Sequence, residues 1–295
     1  MHNSVLLEES IQFLNIKPEG RYVDGTLGLG GHAEAMAQKL GPHGRLLGLD
    51  VDSQNLAAAA IRLQPFGALI QTKQVNFRNL ADTLSAEGWD GVDGMLFDLG
   101  VASPHLDNAD RGMSFQSEGP LDMRLDATSG KTALNMLHTI DEPKLESILR
   151  EFGEERNARR LSRSILFELS AGRLKTTKDL ASLCERVVGR HGKTHPATRV
   201  FLALRVLVND ELGALEKLLS VAPGLLNVGG RLVVISFHSL EDRRVKESFK
   251  TLSRNESGEK KFMILTKKPW VPSDEELRTN PRSRSAKLRV LERVA

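Results

Sequence analysis

The first hundred residues alternate short apolar runs with helix-like stretches, and this rhythm constrains the fold more than any other feature. The runs RYVDG (21–25), RLLGLDVD (45–52), ALIQTKQV (68–75) and DGMLFDLG (93–100) each end in polar or glycine residues. Between them lie GHAEAMAQKL, closed by Gly41 and Pro42, and SQNLAAAAIRL, for which Ser53 is the expected N-cap. Strand and helix in alternation give βαβ units, and hence a parallel sheet covered on both faces.

The rhythm then stops. Residues 105–131 are polar and turn-rich, and no strand is expected between about 105 and 208. Instead TALNMLHTI, DEPKLESILREFG, ERNARRLSRSILFELSAG and TKDLASLCERVVGRHG repeat apolar residues at three- and four-residue spacing, as amphipathic helices require. A long helix is expected from Pro196 through ATRVFLALRVLVNDELGALEKLLS. Strands resume with GRLVVISF (230–237), KFMILTKK (261–268) and SAKLRVLER (285–293), and residues 251–260 read as a surface loop. The expected architecture is a doubly wound α/β domain made of residues 1–104 and 209–295, with an inserted helical domain over 105–208.

Composition narrows the partners. Residues 1–120 carry a net charge of −7 and the remaining 175 residues one of +10, although the whole chain is only +3. Basic charge gathered in one region is the footprint of a polyanion partner. A single tyrosine argues against a sheet of base-stacking rings. Cys184 is the lone cysteine, which excludes a disulfide framework and a cysteine-built zinc site and fits a reducing cytoplasm. Apolar runs such as Ala57–Ile61 are too short to cross a bilayer, and residues 1–20 lack a signal-peptide layout. A membrane partner is therefore not expected.

The turn DGTLGLGGHA (24–33) raises the question of a ligand. Gly28-x-Gly30-x-x-Ala33 satisfies a dinucleotide fingerprint, and Asp50 lies where an acidic side chain takes ribose hydroxyls, so NAD is one reading. Asp24 and Thr26 at the first strand's end suit an amino-acid tail instead. Asp98, ending the fourth apolar run, faces the crevice where open sheets bind ligands. S-adenosyl-L-methionine meets these demands: ribose on Asp50, adenine against Phe77, the methionine end over the glycines.

The motifs HNSVLLEE, DGTLGLGGHA, DLGVASPHLD, RGMSF, GPLDMRLD, GEER, HPATRVFLALR, GGRLVVISFHSLEDR and NPRSRSAKLRV run nearly end to end. In that order they resemble the ribosomal RNA small-subunit methyltransferase H family. The resemblance implies a class I methyltransferase domain, Rossmann-like with a mostly parallel seven-stranded sheet, and an inserted all-helical substrate-recognition domain. It implies methylation of N4 of a cytidine in the decoding region of 16S ribosomal RNA. It also implies cofactor contacts at Gly30, Gly31, His32, Asp50, Phe77, Asp98 and position 105. Position 105 departs from the family pattern: His105 stands where glutamine is usual, and Ala102-Ser103 where the family has two serines. Leu29 replaces a frequent arginine.

For the chemistry, Asp98 is the candidate acceptor for the N–H groups of the target amine, aided by a backbone carbonyl near Leu99 or Gly100. Asp122 and Arg124 are expected at the junction of the two domains near the substrate, or as a salt bridge pinning the insert. Arg156, Arg159, Arg160 and Arg163 recur at helical spacing, and with Arg243, Arg244, Arg282 and Arg284 they are candidates for phosphate contacts. Ser236, His238 and Asp242 are the residue types of a hydrolase triad, but no Gly-x-Ser-x-Gly elbow is present. His238 and Ser239 are instead expected to shape the floor of the crevice. Asp107, His191 and His195 lack metal-ligand spacing, so no metal is expected. The expected partner is 16S rRNA or the small ribosomal subunit, bound by a monomer or a homodimer. An NAD-linked oxidoreductase and a non-catalytic ribosome-assembly factor are the competing readings.

Overall fold

The apolar runs become seven strands in the computed structural model, which describes residues 4–190, 194–254 and 260–295. They are β1 (Arg21–Asp24), β2 (Arg45–Asp50), β3 (Ile70–Gln74), β4 (Val92–Asp98), β5 (Leu226–Ser236), β6 (Phe262–Ile264) and β7 (Lys287–Arg293). One sheet holds all seven in the order β3-β2-β1-β4-β5-β7-β6. The pairs from β3 to β5 are parallel, and β7 runs antiparallel to β5 and β6. This is the Rossmann-like, mostly parallel seven-stranded sheet that the resemblance implies.

The strands sort their side chains by the two-residue period. Val23, Leu47, Leu49, Met95, Phe97, Leu232 and Val234 pack on one face. Their neighbours Tyr22, Leu46, Leu96, Val233 and Ile235 pack on the other. Helices α1 (Leu7–Leu14), α2 (Gly31–Ala37) and α3 (Ser53–Leu63) cover the second face through Leu14, Met36, Ala59 and Leu63, while α4 (Leu80–Ala86) covers the first through Leu80 and Leu84. Each buried leucine stabilises by about 1.5–3 kcal/mol relative to exposure, so both faces must stay covered for the strands to remain in register.

The chain divides into two compact units, residues 1–100 with 212–295 and residues 101–211. The second unit contains α5 (Ser103–Asp107), α6 (Ala133–Leu137), α7 (Glu142–Glu151), α8 (Ala158–Ser170), α9 (Thr177–Val188) and α10 (Ala197–Asn209). It has a core of its own, with Leu145, Leu149, Leu161, Ile165, Leu180, Val200 and Leu204 buried together. Among its described residues no ladder forms; Pro120 and Thr176 share a single bridge. The remaining helices are α11 (Glu211–Val221), α12 (Ser239–Leu252) and α13 (Asp274–Thr279). No described helix is long and apolar enough to cross a membrane.

Four local expectations are corrected. The long helix after Pro196 is two helices, because Asp210 adopts a left-handed conformation (φ 47°, ψ 44°) that ends α10. Aspartate tolerates this region better than most residues, and no apolar period signals it. The N-cap of α3 is Asp52, whose carboxylate accepts the Gln54 N–H, and not Ser53. The strand expected over 261–268 shrinks to three residues. Of the loop expected over 251–260, residues 251 and 252 belong to α12, and 255–259 lie outside the described residues.

The α3 cap gives a direct check. Asp52→Ala is expected to lower unfolding stability by about 0.5–2 kcal/mol. Ser53→Ala should stay within about 0.5 kcal/mol of wild type, as surface substitutions do. Denaturant unfolding of both variants measures the difference.

Candidate functional site

Strand order reverses between β1 and β4, which part in opposite directions from that seam. Ligands of open α/β sheets lie outside the carboxyl ends of the strands at such a point. Three carboxyl groups end strands there: Asp24 on β1, Asp50 on β2 and Asp98 on β4.

Asp50 is locked by backbone donors. Gly28 N–H donates to its Oδ2 at 2.7 Å and Asp52 N–H to its Oδ1 at 2.8 Å, while Asn55 Nδ2 lies 3.4 Å from Oδ2. The same bonds hold the glycine turn against the end of β2. Two glycines in that turn are required for different reasons. Gly30 has φ +79°, the left-handed region that side chains disfavour, and caps α2. At Gly31 a Cβ would meet Ser4 Oγ at 2.1 Å, so any side chain there would push aside the Ser4 hydroxyl of the N-terminal segment.

Asp24 and Asp98 are joined through Thr26. The Asp98 N–H donates to Thr26 Oγ1 at 2.6 Å, and the Thr26 N–H donates to Asp24 Oδ1 at 3.3 Å. Asp24 Oδ2 and Asp98 Oδ1 are buried and have no hydrogen-bond partner among the described residues. Burial, above all, raises the Asp24 carboxyl to about 7, with Asp50 adding to the effect. Asp98 is pushed well above the ordinary carboxylate range by burial and then by Asp24, Glu241 and Glu276. Because the folded-state value of Asp24 lies above its unfolded value of 3.8, the stability it contributes is complete below 3.8. That contribution is lost as pH rises through about 7. Two buried acceptors short of donors are the surroundings a cationic ammonium would relieve.

His32 is buried beside them. Its Nε2 is 3.0 Å from the Val5 carbonyl, which can only accept, so Nε2 carries the proton and Nδ1 faces Asp98 Oδ2 at 3.9 Å. Phe77 follows β3 in a short turn and meets Phe97 edge-on, with centroids 5.8 Å apart. It offers a flat apolar surface beside the ends of β2 and β4.

Other sequence candidates are placed as follows. His238 caps α12, its Nδ1 3.4 Å from the Glu241 N–H, and Glu241 in turn accepts from the Phe237 and His238 amides. Asp242 pairs with Arg289 at 2.7 Å and with Lys287, and Ser236 Oγ donates to the Lys287 carbonyl at 3.3 Å. With its three members tied to different partners, the hydrolase triad is absent. Arg243 is exposed on α12, Arg244 pairs with Glu216, and Arg282 and Arg284 sit exposed in the turn before β7.

In the helical unit, His105 is buried, and its Nδ1 accepts the Ala102 N–H at 3.2 Å. It is not an exposed loop residue. Asp122 and Arg124 pair with each other at 2.7 Å, a salt bridge within this unit. His195 is engaged by Glu185 at 2.7 Å and stacks on Phe115. Asp107 ends α5, and His191 lies outside the described residues.

Sequence reasoning missed Glu276 and the Val5 carbonyl. Glu276 accepts the Leu6 N–H at 2.9 Å across a separation of 270 residues and adds negative field at Asp98. No spacing in the chain could signal such a contact.

A curated protein from Solibacter usitatus, named ribosomal RNA small subunit methyltransferase H, is 47% identical over 292 residues, covering 99% of both chains. One of the same name from Clostridioides difficile is 39% identical over 307 residues, again covering 99% of each. The crystal structure of an rRNA methylase from Streptococcus thermophilus overlays with a TM-score of 0.45 at 15% identity, covering 100% of this chain and 99% of that one. That likeness is too distant to bear on the chemistry. The model of the MraW methylase family matches residues 1–294, and the chain belongs to that family.

Proposed function

We propose that the protein transfers a methyl group from S-adenosyl-L-methionine to the N4 amine of a cytidine in the decoding region of 16S ribosomal RNA. In this reading it works in the cytoplasm, as a monomer or homodimer, on the free RNA or the small subunit. The observation that carries the cofactor is the pair of partnerless buried oxygens on Asp24 and Asp98, which suits the ammonium of an amino-acid tail. Two full-length relatives bearing the name ribosomal RNA small subunit methyltransferase H support the substrate. Membership in a methylase family disfavours the oxidoreductase reading.

Asp50, already fixed by backbone donors, grips the ribose hydroxyls. Phe77 lies against the adenine, and the turn at Gly30 and Gly31 leaves room for the tail. The sulfonium supplies an electrophilic methyl group, so the chain's own task is collinear positioning and handling of the amine protons. The cytosine amine is a weak nucleophile because its lone pair is delocalised into the ring. Asp98, in the ionised form that a neighbouring ammonium favours, draws density back to nitrogen by accepting from N–H. His32, fixed by the Val5 carbonyl, stands beside that carboxylate. The target base must leave its stack to reach the site. The helical unit, including Asp122 and Arg124, serves substrate recognition in this reading, with Arg156, Arg160, Arg243, Arg282 and Arg284 facing the polyanion, His238 at the floor of the crevice and His105 a cofactor contact.

Incubation with labelled methyl donor and small ribosomal subunits, followed by mass-spectrometric mapping of the modified nucleotide, tests the proposal; no transfer would leave only a non-catalytic binding factor. Asp50→Ala should weaken cofactor binding by about 10- to 1000-fold, the worth of one to two hydrogen bonds to a charged group; titration calorimetry reads it. Asp98→Asn should weaken cofactor binding through the lost ammonium contact and lose turnover even at saturating cofactor, and full turnover there would remove Asp98 from the mechanism. Binding at pH 6 should also release protons, because a cation favours the ionised forms of Asp24 and Asp98. Calorimetry in buffers of different ionisation enthalpy measures the release, and uptake would contradict the placement of the ammonium.

A further inference from the structure

α8 begins in a way that disfavours its own stability. Its N-cap, Asn157, makes no side-chain capping bond, and its first turn carries no acidic residue but instead Arg159 and Arg160. Cations at the positive end of a helix dipole cost roughly 0.3–1 kcal/mol each. Glu155, just before the helix, is buried and committed to the Asn157 amide and side chain at 2.7 and 3.2 Å. Arg163 follows on the same face one turn later, and like charges at this spacing repel. Local energetics do not account for this arrangement.

The space beside these residues does. Arg159, Arg160 and Arg163 of α8 and Arg186 of α9 line one open groove of about 380 Å³, together with Ser164 and Val187. The Arg160 guanidinium is anchored by donating to the Val187 carbonyl at 2.7 Å, which fixes its direction without neutralising it. Arg163 and Arg186 have carboxylates only at 3.4 Å, from Glu142 and Glu168, and Glu168 is held more closely by Arg173 at 2.5 Å. Among the described residues the Arg159 side chain has no ion pair or hydrogen bond. Four guanidiniums therefore share one groove with incomplete neutralisation.

We infer that this groove between α8 and the end of α9 is a backbone-binding site for the RNA substrate, taking phosphodiester groups. The inference rests on the RNA-methylation reading above. Guanidinium forks match phosphate oxygens in pairs, and the uncapped amides and dipole of α8 add attraction for the same charge. The cations stand on two rungs one helical turn, about 5.4 Å, apart, which suits successive phosphates better than one isolated anion. No aromatic ring lines the groove, so it positions a strand and does not read bases.

The test uses the full chain, a labelled decoding-region RNA and fluorescence anisotropy at increasing salt. Each lost phosphate contact lowers the log–log salt slope by about 0.7–0.9. The double variant Arg159→Gln/Arg186→Gln is expected to lower the slope by about 1.5 and the low-salt affinity by at least tenfold, with cofactor affinity unchanged and thermal stability no lower than wild type. Arg150→Gln, an arginine paired with Glu146 outside the groove, is expected to keep the wild-type slope. An unchanged slope in the double variant, whether or not affinity falls, overturns the inference and leaves the proposed function standing if wild type still methylates. A slope that depends on these arginines in a protein that transfers no methyl group upholds the groove and sinks the catalytic reading. A wild-type chain that binds no RNA overturns both.

Discussion

Everything at the site depends on carboxylates being held in a place that does not favour their charge. Asp24 and Asp98 end neighbouring strands at the seam where strand order reverses, bridged by the backbone and hydroxyl of Thr26. Each keeps one buried oxygen without a donor. A buried polar atom left unmade costs on the order of 1–3 kcal/mol, so the fold carries a standing penalty that the apolar layers on both sheet faces must offset. Such a penalty is retained where a ligand removes it. The glycine turn, by contrast, is satisfied within the chain, through Asp50.

This contrast separates two kinds of site residue. Asp50 is rigid before any ligand arrives, because backbone donors fix both of its oxygens. Asp98 is set by its electrostatic surroundings, where Asp24, Glu241 and Glu276 all add negative field. The first arrangement favours binding, since little ordering remains to be done. The second suits a ligand's positive charge, since burial and the neighbouring carboxylates disfavour the ionised form of Asp98.

Much of this was legible in the chain. The seven strands follow from apolar runs, and Asp24, Asp50 and Asp98 were visible because each closes such a run before a turn. The helical unit was legible from its three-to-four-residue period. What escaped were features without local signals. Asp210 breaks a helix whose apolar pattern continues through it, because one left-handed residue decides the matter. Asp52 caps α3 although Ser53 is an equally good cap by type, since the choice depends on where the backbone turns. Glu276 reaches the N-terminal segment, and Asp122 pairs locally with Arg124, and neither outcome is written in spacing.

The sheet also imposes an order on its own assembly. β4 pairs in parallel with β5, and the whole of residues 101–211 intervenes between them. During synthesis at about 5–20 residues per second, β4 leaves the ribosome on the order of ten seconds before its partner exists. For that interval Met95, Leu96 and Phe97 end in an unpaired strand edge, the kind of surface that invites aggregation. The intervening unit carries a core made from its own residues, so it can condense while the half-built sheet waits. A nascent chain of this protein is thus most in need of a chaperone between the emergence of its fourth strand and its fifth.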